Sequence, residues 1–345
     1  MKTEVFKIDS ADDEKQISAA AEIIKCGGLL AIPTETVYGL GADGLDPVAV
    51  RRIFEAKGRP QDNPLILHVP SKDWLPSFCR DIPPEAYMLA ERFWPGPLTM
   101  VLKRKSVVPD ETTAGLDTVG MRCPRSAVTR AIIERAGVPI AAPSANISGR
   151  PSCTCIADVL EDMEGKIEGA VDGGQCSVGV ESTIIDMTVT PPQLLRPGGI
   201  SPEKLRQALG AITIDKAVTG FLKYGEKPKA PGMKYRHYAP KAPVTVVRGE
   251  PEKTAEYIKD RLGKNTGIIC FEEFADMFPG HAVESIGRSD DKETQARRVF
   301  DALRSFDSKD VTEIFAQCPD ETGIGFATAN RLKKAAGFHI IDLEI

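Results

Sequence analysis

A short apolar strand that breaks into polar residues, followed by a capped helix, recurs along this 345-residue chain. That rhythm restricts the architecture: strands alternating with helices bury their apolar sides as an α/β fold with helices packed on a sheet. At roughly 150 residues per domain, the length predicts two domains. None of the apolar runs approaches the ~20 residues a membrane-spanning helix needs, so no membrane association is expected. The start, MKTEVFKIDSADDEK, is acidic within ten residues and lacks an apolar core, so no secretory signal is expected in it. Eight scattered cysteines suit a reducing compartment better than a disulfide scaffold, so a cytoplasmic location is expected.

Predicted strands in the first half are Val5–Ile8, Gly28–Thr34, Pro64–Val69, Leu98–Lys103, Val119–Arg122 and Val138–Ala142. Shorter ones follow at Ala170–Asp172, Thr183–Met187 and Gln193–Arg196. Ser10 is read as the cap of a helix to about Lys25. Asp46-Pro47 places an N-cap and a first-turn proline before a helix that Gly58 stops. Further helices are expected over Pro84–Phe93, from Ser126 to Gly137, and from Ser201-Pro202 to about Leu209. After residue 243 the alternation becomes regular and predicts a smaller, parallel, doubly wound domain.

The net charge of −5 argues against a globally basic nucleic-acid binder. Its distribution is uneven: residues 1–222 and 244–345 each carry −5, and residues 223–241 carry +5. The basic strap, KYGEKPKAPGMKYRHYAPK, is proline-rich and aperiodic, the signature of an extended linker. The expected division is therefore a domain over 1–215, a linker or lid over 216–243 and a domain over 244–345. Tyr224, Tyr235, His237 and Tyr238 are interleaved with cations there, and such a mixture can stack on a base and meet phosphates.

Several familiar chemistries are excluded. Gly39-x-Gly41-x-x-Gly44 matches a dinucleotide fingerprint as a string, but polar residues separate it from the preceding strand and the helix starts only at Pro47. A glycine-rich turn is expected instead. There is no P-loop string and no GxSxG elbow. Cys153-Thr-Cys155 and the histidines at 68, 237, 281 and 339 make no metal motif. What remains is a set of polar groups at the ends of apolar strands: Thr34-Glu35-Thr36; Lys57, Arg59 and Asn63; His68; Arg122; Ser144 and Asn146; Ser182 and Thr183; Arg196. Strand ends of this kind carry binding groups in α/β folds. Together they line a cationic, hydroxyl-rich pocket without a nucleophile, which suits phosphoryl or nucleotidyl transfer by positioning and charge neutralisation.

In order along the chain, PTETVYGLGAD, KGRPxxNPLILHV, WPGPLT, VGMRCP, APSANISGRPS, ESTIID and LLRPGGI closely resemble the YrdC-like domain of threonylcarbamoyl-AMP synthases. APGMKYRHYAP resembles the interdomain linker of that family's long form. The resemblance implies a twisted mixed α/β sheet with helices around a basic cavity, followed by a smaller α/β domain. It implies conversion of L-threonine, bicarbonate and ATP to threonylcarbamoyl-AMP and pyrophosphate. The adenylate would serve a separate tRNA threonylcarbamoyl transferase complex.

Carried over by motif, Thr36, His68, Arg122, Ala142 and Ser182 become threonine-side contacts. Arg59, Asn63, Thr118, Ser144, Ser152 and Arg196 become ATP-side contacts. Lys57 with Arg59, and Ser144 with Asn146, match the family's paired signature residues and are the expected catalytic set. One of Tyr235, Arg236 and His237 is expected to close over the nucleotide, with Tyr235 the assigned residue. Mg²⁺ is expected with ATP, with no protein metal ligands and no tightly bound organic cofactor. Two rivals are carbamoyl-adenylate synthesis of the hydrogenase-maturation type, whose extra zinc-finger and acylphosphatase-like regions are not visible here, and a non-catalytic RNA-binding module, which the net charge disfavours.

Overall fold

The computed structural model describes residues 2–220, 228–231 and 237–344. It comprises two compact units. The first gathers Met1–Ser148, Ser152–Ser177 and Glu181–Lys234; the second gathers Gly149–Pro151, Val178–Val180 and Tyr235–Ile345. No helix among the described residues is long and apolar enough to cross a membrane.

The first unit is built on a mixed sheet of eleven strands. From edge to edge they are Glu4–Lys7, Gly169–Asp172, Leu30–Ile32, Gly39–Asp43, Ile140–Ala141, Ile66–His68, Thr118–Arg122, Leu98–Lys103, Thr183–Asp186, Gln193–Arg196 and Thr213–Ile214. On one side, the helix Glu14–Lys25 sets Ile17, Ala20, Ala21 and Ile24 against Ile132 and Ile133 of the helix Ala127–Ala136 and against Phe6, Leu30 and Ile32 of the sheet. These spacings of three and four residues place one apolar stripe on each helix.

Local chemistry sets most of the boundaries. Asp46 accepts a hydrogen bond from the Val48 N–H at 2.8 Å, Pro47 opens the helix Pro47–Lys57, and Gly58 ends it at φ +60°. Ser126 caps the helix Ala127–Ala136. The first helix departs from expectation: it starts at Glu14 under the cap of Asp13, because the Ser10 hydroxyl instead takes the Asp12 N–H in a tight turn. The glycine-rich segment is also corrected. Gly39–Asp43 is a strand, antiparallel to both Leu30–Ile32 and Ile140–Ala141. A Cβ on Gly41 would sit 2.8 Å from Ile140 Cγ2, so glycine permits the close approach of the neighbouring strand and cradles no phosphate.

The second unit has a wholly parallel sheet in the order Ala282–Ser285, Thr266–Cys270, Glu313–Gln317, Val244–Arg248, Ile340–Asp342. The helices Pro251–Lys259, Lys292–Ser305 and Gly325–Ala335 lie in its crossovers. At the carboxyl ends of the strands Gln317 is a buried fastener. Its Oε1 accepts from the Phe271 N–H at 2.9 Å, and its Nε2 donates to the Pro251 carbonyl and the Thr254 hydroxyl, both at 2.8 Å.

Candidate active site

Strand register in the first unit collects most of the expected site residues on one face. His68 pairs with Arg122, Gly120 with both Ile66 and Val101, Leu98 with Thr183, and Ile184 with both Thr99 and Arg196. Because side chains alternate between faces, His68, Thr118, Arg122, Thr99, Ser182 and Arg196 share a face whose floor is Ile66, Val101 and Ile184. Contacts agree with this placement. The hydroxyls of Thr99 and Ser182 lie 2.8 Å apart, and Arg196 donates from Nε to the Ser182 carbonyl at 3.0 Å and from Nη2 to its hydroxyl at 3.1 Å. Thr118 is four residues from Arg122 on the same strand, roughly 13 Å away. Thr118, expected on the ATP side, and Arg122, expected on the threonine side, thus lie at opposite ends of one strand, whereas Arg196 and Ser182, also expected on different sides, are in direct contact.

The loop after Leu30–Ile32 supplies a second layer. Thr36 and Thr34 share a hydrogen bond between their hydroxyls at 2.8 Å, and the Thr34 hydroxyl also donates to the Val37 carbonyl at 2.7 Å. Glu35, between them, accepts from Arg122 Nη2 at 2.8 Å, with both side chains buried. Ala142 is fixed through its N–H, which donates to the Ile66 carbonyl at 3.0 Å.

Lys57 and Arg59 stand at the end of the helix Pro47–Lys57. Lys57 is 3% exposed; its ammonium donates to the carbonyls of Ser144 and Asn146. Its own carbonyl accepts from the Ser148 N–H at 2.9 Å. Arg59 donates to the carbonyls of Asn63 and Pro64 at 3.1 and 3.2 Å. Both expected clamp cations therefore also hold the loops that carry Ser144, Asn146 and Asn63. The Asn63 Oδ1 is buried with no hydrogen-bond partner among the described residues. Ser152, fully buried, donates to Glu181 Oε1 at 2.8 Å, which joins it to the neighbour of Ser182.

His68 is buried beside Arg122. Burial first, and the guanidinium second, push its imidazole down to about 3, so the ring is neutral at ordinary pH. It offers a hydrogen-bonding group without adding a second charge next to Arg122.

Three contributors were not singled out as site residues from sequence, Thr99, Glu181 and Gly198, and Glu35 was named there without its partner Arg122. Each acts across strands, and the pairing partner is invisible in a linear string. A Cβ on Gly198 would lie 2.3 Å from the Glu181 carbonyl and the Thr183 N, so the Arg196-Pro-Gly-Gly turn is pressed directly against the backbone of Ser182. Tyr235 and Arg236 lie outside the described residues. His237 belongs to the second unit, where its ring centroid is 5.6 Å from that of Tyr238. Among the described residues there is no group of three His, Cys, Asp or Glu side chains that could hold a metal ion.

A mixed α/β sheet that gathers arginines and hydroxyls on one face has the make-up of a site that works by positioning and charge neutralisation, the class to which nucleotidyltransferases belong. Family models match on both units: Sua5_yciO_yrdC, described as Telomere recombination, over residues 22–198, and Threonylcarbamoyl-AMP synthase, C-terminal domain, over residues 200–337. The chain is 48% identical to a threonylcarbamoyl-AMP synthase of Pyrococcus abyssi, covering 98% of this chain and 99% of that one. It is 44% identical to that of Bacillus subtilis over 99% and 100% of the two chains. A crystal structure of P. abyssi Sua5 complexed with L-threonine superimposes with a TM-score of 0.94 at 48% identity, covering 99% of this chain and 100% of that one. The chain belongs to the threonylcarbamoyl-AMP synthase family.

Proposed function

We propose that this chain makes L-threonylcarbamoyl-AMP from L-threonine, bicarbonate and ATP, releasing pyrophosphate. The observation that carries this reading is the near-complete coverage, at 48% identity, of a structure complexed with L-threonine. In this reading Thr36, His68, Arg122, Ala142 and Ser182 hold threonine. Arg59, Asn63, Thr118, Ser144, Ser152, Arg196 and Tyr235 hold ATP. Magnesium arrives as part of the Mg·ATP substrate.

The amine of threonine adds to bicarbonate to give a carbamate and water. A carbamate oxygen then forms a bond to the α-phosphorus of ATP as the bond to the β-phosphate oxygen breaks. The face supplies no covalent chemistry. It holds two substrates at adjoining positions, so that a bimolecular encounter becomes a reaction within one complex. Lys57, Arg59 and Arg196 neutralise the charge that leaves with pyrophosphate. The adenylate is consumed by a separate transferase that places the threonylcarbamoyl group on adenosine in tRNA.

Pyrophosphate release by the full chain tests this. Release is expected with ATP, threonine and bicarbonate together, and not when threonine or bicarbonate is withheld from carbonate-free buffer. Release that ignores either omission, or no release at all, overturns the reading.

A further inference from the structure

We propose that Glu35 is a positioning residue that orients Arg122 toward the carboxylate of the amino-acid substrate. The proposal rests on the reaction reading above and extends it to a residue that reading does not use.

Glu35 has each carboxylate oxygen engaged separately. Oε1 accepts from Arg122 Nη2 at 2.8 Å, and Oε2 accepts from the backbone N–H of Arg125 at 2.9 Å. Side-chain exposures of 5% for Arg122 and 4% for Glu35 place the pair almost wholly out of water. A guanidinium so buried needs a counter-charge, because a single buried charge costs several kcal/mol. A surface arginine could be recruited by a substrate alone; this one is already neutralised and fixed.

The fixing is directional. Nη2 is held by Glu35, and Nε points to the Gly96 carbonyl at 3.4 Å. Nη1 has no hydrogen-bond partner among the described residues and is not one of the buried unpartnered atoms. A guanidinium is a rigid planar fork, so holding two of its nitrogens aims the third. The strongest partner for the charged N–H that remains on Nη1 is a carboxylate oxygen, which the threonine amine and hydroxyl cannot replace. Arg125 precedes the helix Ala127–Ala136, so Glu35 also ties the loop after Leu30–Ile32 to the start of that helix.

The test compares wild type with Glu35→Gln and Glu35→Asp in the full chain. Three quantities are read: KM for L-threonine, KM for ATP, and inhibition by 1-aminopropan-2-ol, which is threonine without its carboxylate. Glu35→Gln is expected to raise the threonine KM at least tenfold. The ATP KM, the rate at saturating threonine and inhibition by the amino alcohol should each stay within twofold. Glu35→Asp, which keeps the charge, should recover part of the threonine affinity. A merely structural role lowers the active fraction, hence the rate, and leaves the preference for threonine over the amino alcohol unchanged; that result overturns the proposal. Failure of both variants to fold also overturns it, since Glu35 would then be a folding determinant. Absence of threonine-dependent release in wild type overturns the reaction reading and this proposal with it. Normal wild-type release with an unchanged threonine KM in Glu35→Gln overturns this proposal alone.

Discussion

The Lys57 ammonium donates to the Ser144 carbonyl oxygen at 2.5 Å, and to that of Asn146. The two signature pairs of the sequence are thereby one object: a helix end tied to the loop that follows the strand Ile140–Ala141. Lys57 is buried, and its charge is held in place by those two carbonyl dipoles.

Replacing Lys57 should therefore damage two properties. Lys57→Ala takes this donor from the part-buried Ser144 carbonyl and the buried Asn146 carbonyl, the latter at about 1–3 kcal/mol, and removes a charge that the proposed reaction uses on the pyrophosphate side. The expected result is a lowered melting temperature together with at least a tenfold fall in pyrophosphate release. Thermal unfolding and the release assay on the same preparation check it. Near-normal release would sink the charge-neutralising role, and an unchanged melting temperature would sink the structural one.

Gly198→Ala should be far more harmful than its single methyl suggests. Atoms at 2.3 and 2.4 Å from the new Cβ are all backbone, in Glu181, Ser182 and Thr183, so no flexible side chain can move aside. The strand must shift, and Ser182 with it, breaking the contacts to Thr99 and Arg196. Loss of most activity is expected, with destabilisation of about 1–3 kcal/mol from overpacking. Chemical denaturation and the release assay read both; wild-type values in each would contradict the close approach.

Much of this layout is legible in the sequence. Asp46-Pro47 and Gly58 mark a helix by cap chemistry, and Leu98–Lys103 stands out by its apolar run. The polar strand ends that mark the site are also readable one by one. The sequence does not reveal which strand lies beside which. Glu35 finds Arg122 across 87 residues, and Ser152 finds Glu181 across 29. The strand Gly39–Asp43 is hidden for a different reason: glycines lower strand propensity, and only the close approach of Ala142 to Gly39 and of Ile140 to Gly41 explains why they are there. The last strand, Ile340–Asp342, gains its state from pairing with Val244–Arg248.

The stretch 228–231 offers another prediction. Ala230 is 1% exposed and packs with Ile66, Val101, Ile184, Leu195 and Ala217, so this described part of the strap is seated on the site's own floor. Lys229 reaches Asp186 at 3.4 Å but is 47% exposed, and such a pair is worth under ~1 kcal/mol. Ala230→Asp should unseat the segment, since an unpaired carboxylate cannot be buried there. Lys229→Ala should change little. Tryptic cleavage after Lys229 should accelerate in Ala230→Asp. The ATP KM should rise as well, because Thr118 shares a small cavity with Lys229, Ala230 and Pro231. Equal proteolysis in Ala230→Asp and wild type would show that the alanine is no anchor.

His68 ties the site to acid stability. In the folded chain its imidazole is held down to about 3, by burial first and Arg122 second, whereas in the unfolded chain it titrates near ~6.5. Above that unfolded value both states are neutral at His68 and its contribution to stability is intact. As pH falls below ~6.5 the unfolded chain binds a proton that the folded chain refuses until pH approaches 3, so stability is lost on acidification. For one proton the slope approaches about 1.4 kcal/mol per pH unit between roughly pH 6 and pH 4. Carboxylates add their own acid dependence, but they are common to wild type and to His68→Gln. The difference between the two proteins in urea unfolding at pH 7, 6, 5 and 4 isolates the histidine. Wild type should lose its stability more steeply, with the gap growing by up to that slope at each step. Parallel curves would mean that His68 takes up a proton in the folded state, and a charged imidazole beside Arg122 would then have to be built into the threonine side of the site.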